Sequence, residues 1–356
     1  MKNTRKTTIH NAITRNPGRA ADAGGFTLFE LLTVLAILSI LLGLTIPVLG
    51  RARKTAKVVA NQTLMREVAV GTQQFRLDNA EQSASYFTAK QLGSSENVLR
   101  GFSPMQSILL NLMGGVAASD SLAASNSVLT FVGPTSVGSI SVNPTKLAAG
   151  ESSLRPGKGA YLTIPGNNLK TLYSGDADDY PPGGGNQLVA SPMGTAYDNH
   201  SKVPELIDAF GTPILAWIED ERIRPEDSTA LYAAQNSDGE TTARFYYASN
   251  SMYLNSQKNY KSWLASATTP NPDQRLAVLG MVTGSPAFAQ SATQLAGFNM
   301  PRASRSGIIL HSAGPDGVWV AKNSASTGGT VPQFPSSSNG SDPMSEFDDT
   351  VVGVGN

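Results

Sequence analysis

The chain has 356 residues, 15% of them charged, a formal net charge of zero and no cysteine. Its length exceeds that of a usual single domain. The lack of cysteine excludes a disulfide framework and a thiolate metal site. No basic patch lies outside the flanks of one apolar run, which argues against nucleic acid as a partner. With 34 glycines and 21 prolines, and charge well below the roughly 25% of ordinary soluble domains, the composition predicts a loop-rich exported domain on a membrane stalk.

Residues 1–25 read as a polar leader, with Lys2, Arg5, Lys6, Arg15 and Arg19 set against Asp22. Gly24-Gly25-Phe26-Thr27-Leu28-Phe29-Glu30 follows, and then Leu31–Gly50, twenty residues without a charge. As a helix that run spans about 30 Å, the thickness of a bilayer's hydrocarbon core. A secretory signal peptide has a shorter apolar core with its small residues behind it. Here Gly24 and Gly25 precede the run, so a cut at that point leaves the apolar helix on the mature chain. The basic leader favours a cytoplasmic N-terminus. Arg51, Arg53, Lys54 and Lys57 oppose that bias, so charge alone leaves the topology open.

This arrangement resembles the type IV pilins and type II secretion pseudopilins, on Gly25, Phe26, Thr27, Leu28 and Glu30. The resemblance implies removal of residues 1–25 by a prepilin peptidase, N-methylation of Phe26 and a single-pass inner-membrane protein. The N-terminus would be cytoplasmic before processing, with the C-terminal head in the periplasm or on an extracellular fibre. Implied partners are other pilin or pseudopilin subunits, an inner-membrane assembly platform, a cytoplasmic ATPase and membrane lipid. Glu30 stands at the edge of hydrocarbon, where an unpaired carboxylate is costly. Its expected partner is the Phe26 amine of a neighbouring subunit, an attraction that rewards insertion and sets register. The competing reading is a Glu resting in the headgroup region.

Further along, residues 26–50 form the predicted transmembrane and assembly helix and residues 51–79 its amphipathic continuation. Gly43 and Pro47 predict a kink or local opening, because proline removes a backbone donor and clashes with the carbonyl four residues back. Val58, Met65, Val68, Thr72 and Phe75 recur at helical spacing, with Arg66, Glu67, Arg76 and Asp78 off the stripe, so this half needs a partner surface. Residues 80–202 read as a loop-rich insertion of the head. Within it Ser107–Met113 is helical in pattern, and Ser127–Val132 and Ser139–Val142 read as short strands. The stretch 117–127 and Pro181–Gly185 are loop material.

Residues 203–356 carry the remaining strands. Asp208-Ala209-Phe210-Gly211-Thr212-Pro213 reads as a turn in which Asp208 caps and Gly211 takes a positive φ, leading into the strand Ile214–Ile218. Further strands are expected at Ala243–Ala248, Ser306–Ser312 and Val318–Val320, and a terminal strand after the paired aspartates of Phe347–Val352. The order of strand, Gly-x-Asp-Gly turn, Gly-rich loop, paired aspartates and terminal strand resembles the end of a major pseudopilin. The fold class that follows is α+β and pilin-like. A long N-terminal helix, membrane-spanning in its first half and amphipathic in its second, packs on a head with a small antiparallel sheet and large loop insertions.

Chemistry is sparse. The resemblance implies calcium on Asp316, Asp348 and Asp349, with backbone carbonyls and Asp342 completing the six to eight oxygens that calcium takes. Asp176, Asp178 and Asp179 lack the terminal Glu of a twelve-residue calcium loop and read as a solvated acidic loop. His311 and Ser312 with Asp316 look like a nucleophilic set, but neighbours on one strand face opposite ways, so no enzyme is expected. Tyr246, Tyr247, Trp263 and Trp319 read as sheet core. The expected function is a structural subunit of a type II secretion pseudopilus or type IV pilus-like fibre. The alternatives are a non-polymerising membrane-anchored binding or adhesin module and, further off, a signal-anchored enzyme.

Overall fold

The computed structural model describes residues 26–94, 97, 102–114, 129–134, 139–143, 147, 160–170, 203–220, 231–235, 241–254, 261–265, 272–285, 294–295, 298–299, 301, 303–320, 322–323, 332–333 and 347–354. The leader with Gly25, the stretch 117–127, the acidic residues Asp176, Asp178, Asp179 and Asp342, and the loop Pro181–Gly185 lie outside them. Two compact units divide the chain, residues 1–53 and 54–356.

Helix α1, Leu28–Asp78, runs through both. In the first unit its apolar side chains are exposed on every side, Leu31 by 54% and Ile46 by 67%. By length and composition the helix can cross a membrane. Its hydroxyls return to its own backbone: Thr33 Oγ1 donates to the Glu30 carbonyl, Ser39 Oγ to Ala36 and Thr45 Oγ1 to Leu41. Such internal satisfaction is what a medium without water requires. Pro47 lies within the continuous helix. Its missing N–H is the donor that the Gly43 carbonyl would have accepted, so both predicted breakers act on one hydrogen bond.

In the second unit the same helix buries one stripe, including Asn61, Met65, Val68, Thr72 and Phe75. These are the expected positions with Asn61 added a turn earlier, while Val58 is half-buried. The helix ends at Asp78. Asn79 Nδ2 donates to the Phe75 carbonyl and the Tyr161 hydroxyl, and Ala80 and Glu81 turn the chain with φ of 52° and 61°.

A one-turn helix, α2 (Ala89–Leu92), is closed by a capping box between Thr88 and Gln91. Helix α3 (Pro104–Leu112) begins three residues before the helical pattern at Ser107, because Ser103 and Gln106 form a second capping box with Pro104 at the first position. Every residue of α3 is buried. Strands β1 (Leu129–Val132) and β2 (Ser139–Val142), both expected as short strands, pair antiparallel with each other. The short strands β3 (Leu169–Lys170) and β4 (Glu205–Leu206) also pair antiparallel. The Asp208 turn forms as expected. Asp208 Oδ1 accepts the Phe210 and Thr212 N–H groups at 2.8 and 2.9 Å, and Gly211 has φ +91°.

After the turn come β5 (Leu215–Ile218) and the hairpin β6 (Leu231–Gln235) with β7 (Thr241–Tyr246). Helix α4 (Ser251–Leu254), strand β8 (Lys261–Ser262) and helix α5 (Pro272–Thr283) follow, then the two-residue strands β9 (Gln294–Leu295) and β10 (Phe298–Asn299). Strand β11 (Ile308–Ser312) is the centre of a three-stranded antiparallel sheet. It pairs with β5 on one side and with the C-terminal strand on the other. Between them lie β12 (Val318–Trp319), β13 (Lys322–Asn323) and β14 (Pro332–Gln333), and β15 (Thr350–Val354) closes the sheet.

The sheet's two faces enter different cores. Ile308 and Leu310, with Ala216, Ile218 and Val354, join Met65, Val68 and Phe102, and also Ile108 and Leu109 of α3. Ile309, Leu215 and Trp217 join Phe245, Tyr253, Trp263, Val278 and Trp319. Alternation along a strand places successive side chains on opposite faces. With both faces covered, β5 reads as an unbroken apolar run. Each fully buried large side chain contributes about 1.5–3 kcal/mol.

Two strand expectations need correcting. The strand expected at Val318–Val320 stops at Trp319 and pairs parallel with β8, because Val320 takes a left-handed φ of 56°. The strand expected at Ala243–Ala248 ends at Tyr246, where the chain turns into a 3-10 helix over Tyr247–Asn250.

Candidate functional site

At the N-terminal end Thr27 and Glu30 form a reciprocal cap. Glu30 Oε2 accepts the Thr27 N–H at 2.9 Å and the Thr27 hydroxyl at 2.8 Å, while Thr27 Oγ1 accepts the Glu30 N–H at 3.2 Å. This is a capping box, placing a carboxylate where the helix dipole favours one. The Thr-x-x-Glu spacing carried that signal, and neither the intersubunit nor the headgroup reading of Glu30 used it. Oε1 makes no hydrogen bond among the described residues, so the cap leaves one oxygen of Glu30 for another partner. Phe26, 75% exposed, precedes the cap.

The C-terminal corner holds the three aspartates. Asp316 Oδ1 accepts the Val318 N–H at 2.9 Å inside its own turn. Asp349 is buried, and its Oδ2 lies 2.6 Å from His311 Nε2 and accepts the Val320 N–H at 2.9 Å. Burial pushes the Asp349 carboxyl above its ordinary range, opposed by those two contacts. Asp349 thus holds the strained Val320 and ties β11 to the start of β15. Gly314 packs so closely here that a Cβ would collide with the Asp348 carbonyl. Lys54 Nζ stands 4.0 Å from Asp348 Oδ2.

Two carboxylate oxygens in this corner, Asp348 Oδ1 and Asp349 Oδ1, are buried without a hydrogen-bond partner among the described residues. They are hard oxygen donors of the kind calcium takes. Asp316 does not join them: among the described residues no group of three or more His, Cys, Asp or Glu side chains is placed to hold a metal ion.

A second polar network crosses the sheet's other face. Asn61 Nδ2 donates to Ser312 Oγ at 2.9 Å, and Ser312 Oγ donates to Asp208 Oδ2 at 2.7 Å. The helix, β11 and the Asp208 turn are thereby joined. Burial raises the Asp208 carboxyl, and its backbone and Ser312 donors oppose the rise. His311 and Ser312 serve different faces, as their adjacency on a strand predicts, so the histidine is not placed as a base for the serine. Tyr246, Trp263 and Trp319 are buried. The Tyr247 side chain lies outside the described set.

Glu205 is fully buried on β4. Its Oε1 accepts the Tyr253 hydroxyl at 2.6 Å, and burial pushes its carboxyl up to about 7. Nothing in its local sequence marks it, because only the packing of α3 and α4 around β4 removes it from water.

Residues 21–46 match the family model described as the prokaryotic N-terminal methylation motif. No curated protein and no solved structure matches the chain.

Proposed function

We propose that this chain, which carries a prepilin-type methylation motif ahead of a long apolar helix and so fits the pilin and pseudopilin family, is a polymerising subunit of a type II secretion pseudopilus or a related pilus-like fibre. A prepilin peptidase cuts between Gly25 and Phe26, Phe26 is N-methylated, and the helix holds the mature protein in the inner membrane with its head outside. The observation that carries this reading is the first half of α1, apolar and exposed on every side after a single carboxylate, Glu30. Such a surface is stable in lipid or against other helices like itself. The family's motif is structural rather than catalytic.

Mass spectrometry of the mature protein is expected to find methyl-phenylalanine at position 26, and Gly25→Ala to slow or block the cut. An intact Met1 terminus on membrane-extracted protein would end this reading. Crosslinking between heads then separates a polymer from a lone anchored binding module, which gives none.

A calcium ion at the C-terminal corner is a second reading, favoured by the two buried unpartnered oxygens of Asp348 and Asp349. Backbone carbonyls would have to supply most of the remaining shell.

A further inference from the structure

We propose that Glu205 is a proton-operated lock on the seam between the head's two hydrophobic cores. Ser103 and α3 belong to the first core beside Phe102 and Met105, whereas Tyr253 on α4 belongs to the second beside Trp319. Glu205 stands between them. Its Oε1 takes the Tyr253 hydroxyl, and Ser103 is its other polar neighbour and also favours the charged form. Its Oε2 is buried with no hydrogen-bond partner among the described residues. A carboxylate in that position keeps one charged oxygen away from water and without a hydrogen bond among the described residues, whereas the neutral acid is far less costly to bury.

Among the described residues no cation offsets the charge. Helix α3 has no ionisable side chain, and α4 contributes the Tyr253 phenol alone. Lys170 is the cross-strand partner of Glu205 in register, but its side chain is exposed. On Glu205's own segment the next carboxylate, Asp208, is held by Phe210, Thr212 and Ser312. With the proton on, the acid bridges the two cores. With the proton off, the seam opens to hydrate the carboxylate. Closure is therefore strongest at mildly acid pH and is lost as the pH rises.

The sign follows from linkage. A carboxyl of ordinary value 4.5 that is raised to about 7 when closed binds its proton more tightly closed than open. The opening constant then rises about tenfold per pH unit between those two values and levels off above the upper one. The test is hydrogen exchange at the amides of α3 and α4 in the full chain in detergent micelles, corrected for intrinsic rates, from pH 5 to 8.5. Wild type is expected to lose protection up to about pH 7 and then reach a plateau. Glu205→Gln, neutral at every pH, should show flat protection. Tyr253→Phe removes a donor that favours the charged form, so its plateau should move to higher pH. That second variant decides the matter if Glu205→Gln fails to fold. Protection independent of pH in wild type, an unchanged profile in Glu205→Gln, or an unmoved plateau in Tyr253→Phe overturns the proposal.

Discussion

If the chain polymerises as proposed, Glu30 would serve two purposes with one side chain. One of its oxygens caps its own helix through Thr27, and the other remains open among the described residues. Two substitutions separate these roles. Thr27→Ala weakens the cap but keeps the charge, so fibre yield is expected to stay near that of wild type. Glu30→Gln keeps size and hydrogen-bonding capacity but would lose the proposed attraction to a neighbour's Phe26 amine, the contribution that needs a second subunit. It is expected to accumulate as processed, membrane-embedded monomer, with fewer helix–helix crosslinks. Sheared-fibre yield from both variants checks this, and normal fibres from Glu30→Gln would leave Glu30 as a cap alone. The capping box was legible as Thr-x-x-Glu. Burial of Glu205 was not, since a glutamate two residues after Val203 looks like any exposed loop residue until α3 and α4 close over it.

At the scale of elements, α1 changes its solvent along its length. Its second half hides Met65 and Val68 completely and leaves Val70 61% exposed and Leu77 75% exposed. Met65→Ala is expected to cost about 2–5 kcal/mol by removing a buried side chain from the first core. Val70→Ala should stay within about 0.5 kcal/mol, as surface changes generally do. Thermal unfolding of the full chain in detergent measures both, and equal losses would mean that the wrong face has been assigned to the core. Helical spacing found this stripe because every fourth or third residue is apolar. It missed Asn61, the stripe's upper member, because that residue is polar and is buried through its bond to Ser312, 251 positions away. Likewise Val318 and Trp319 read as strand, but their parallel partner, Lys261–Ser262, is too short to signal pairing.

For the molecule as a whole, the C-terminal corner decides how the last strand is held. His311, Asp349 and Val320 already fasten it, so a cation at Asp348 and Asp349 would add to an existing clasp. If calcium binds the folded head alone, a hundredfold excess over its Kd stabilises by about 2.7 kcal/mol. The full chain in detergent is then expected to melt higher in calcium than in chelator, and Asp348→Asn to abolish the difference while sparing the His311–Asp349 contact. Equal melting in both conditions would exclude the cation and leave the clasp to protein groups. By itself the sequence determined the apolar helix, its processing motif, the amphipathic continuation, the Asp208 turn and the strands that flank it. Each of these is written in spacing and turn chemistry over a few neighbouring residues. Only the tertiary structure decided which polar groups lose their water, that one sheet divides two cores, and that Val320 bends out of its strand to meet Asp349. Those outcomes depend on segments far apart in the chain, and local periodicity carries no record of what will be packed against it.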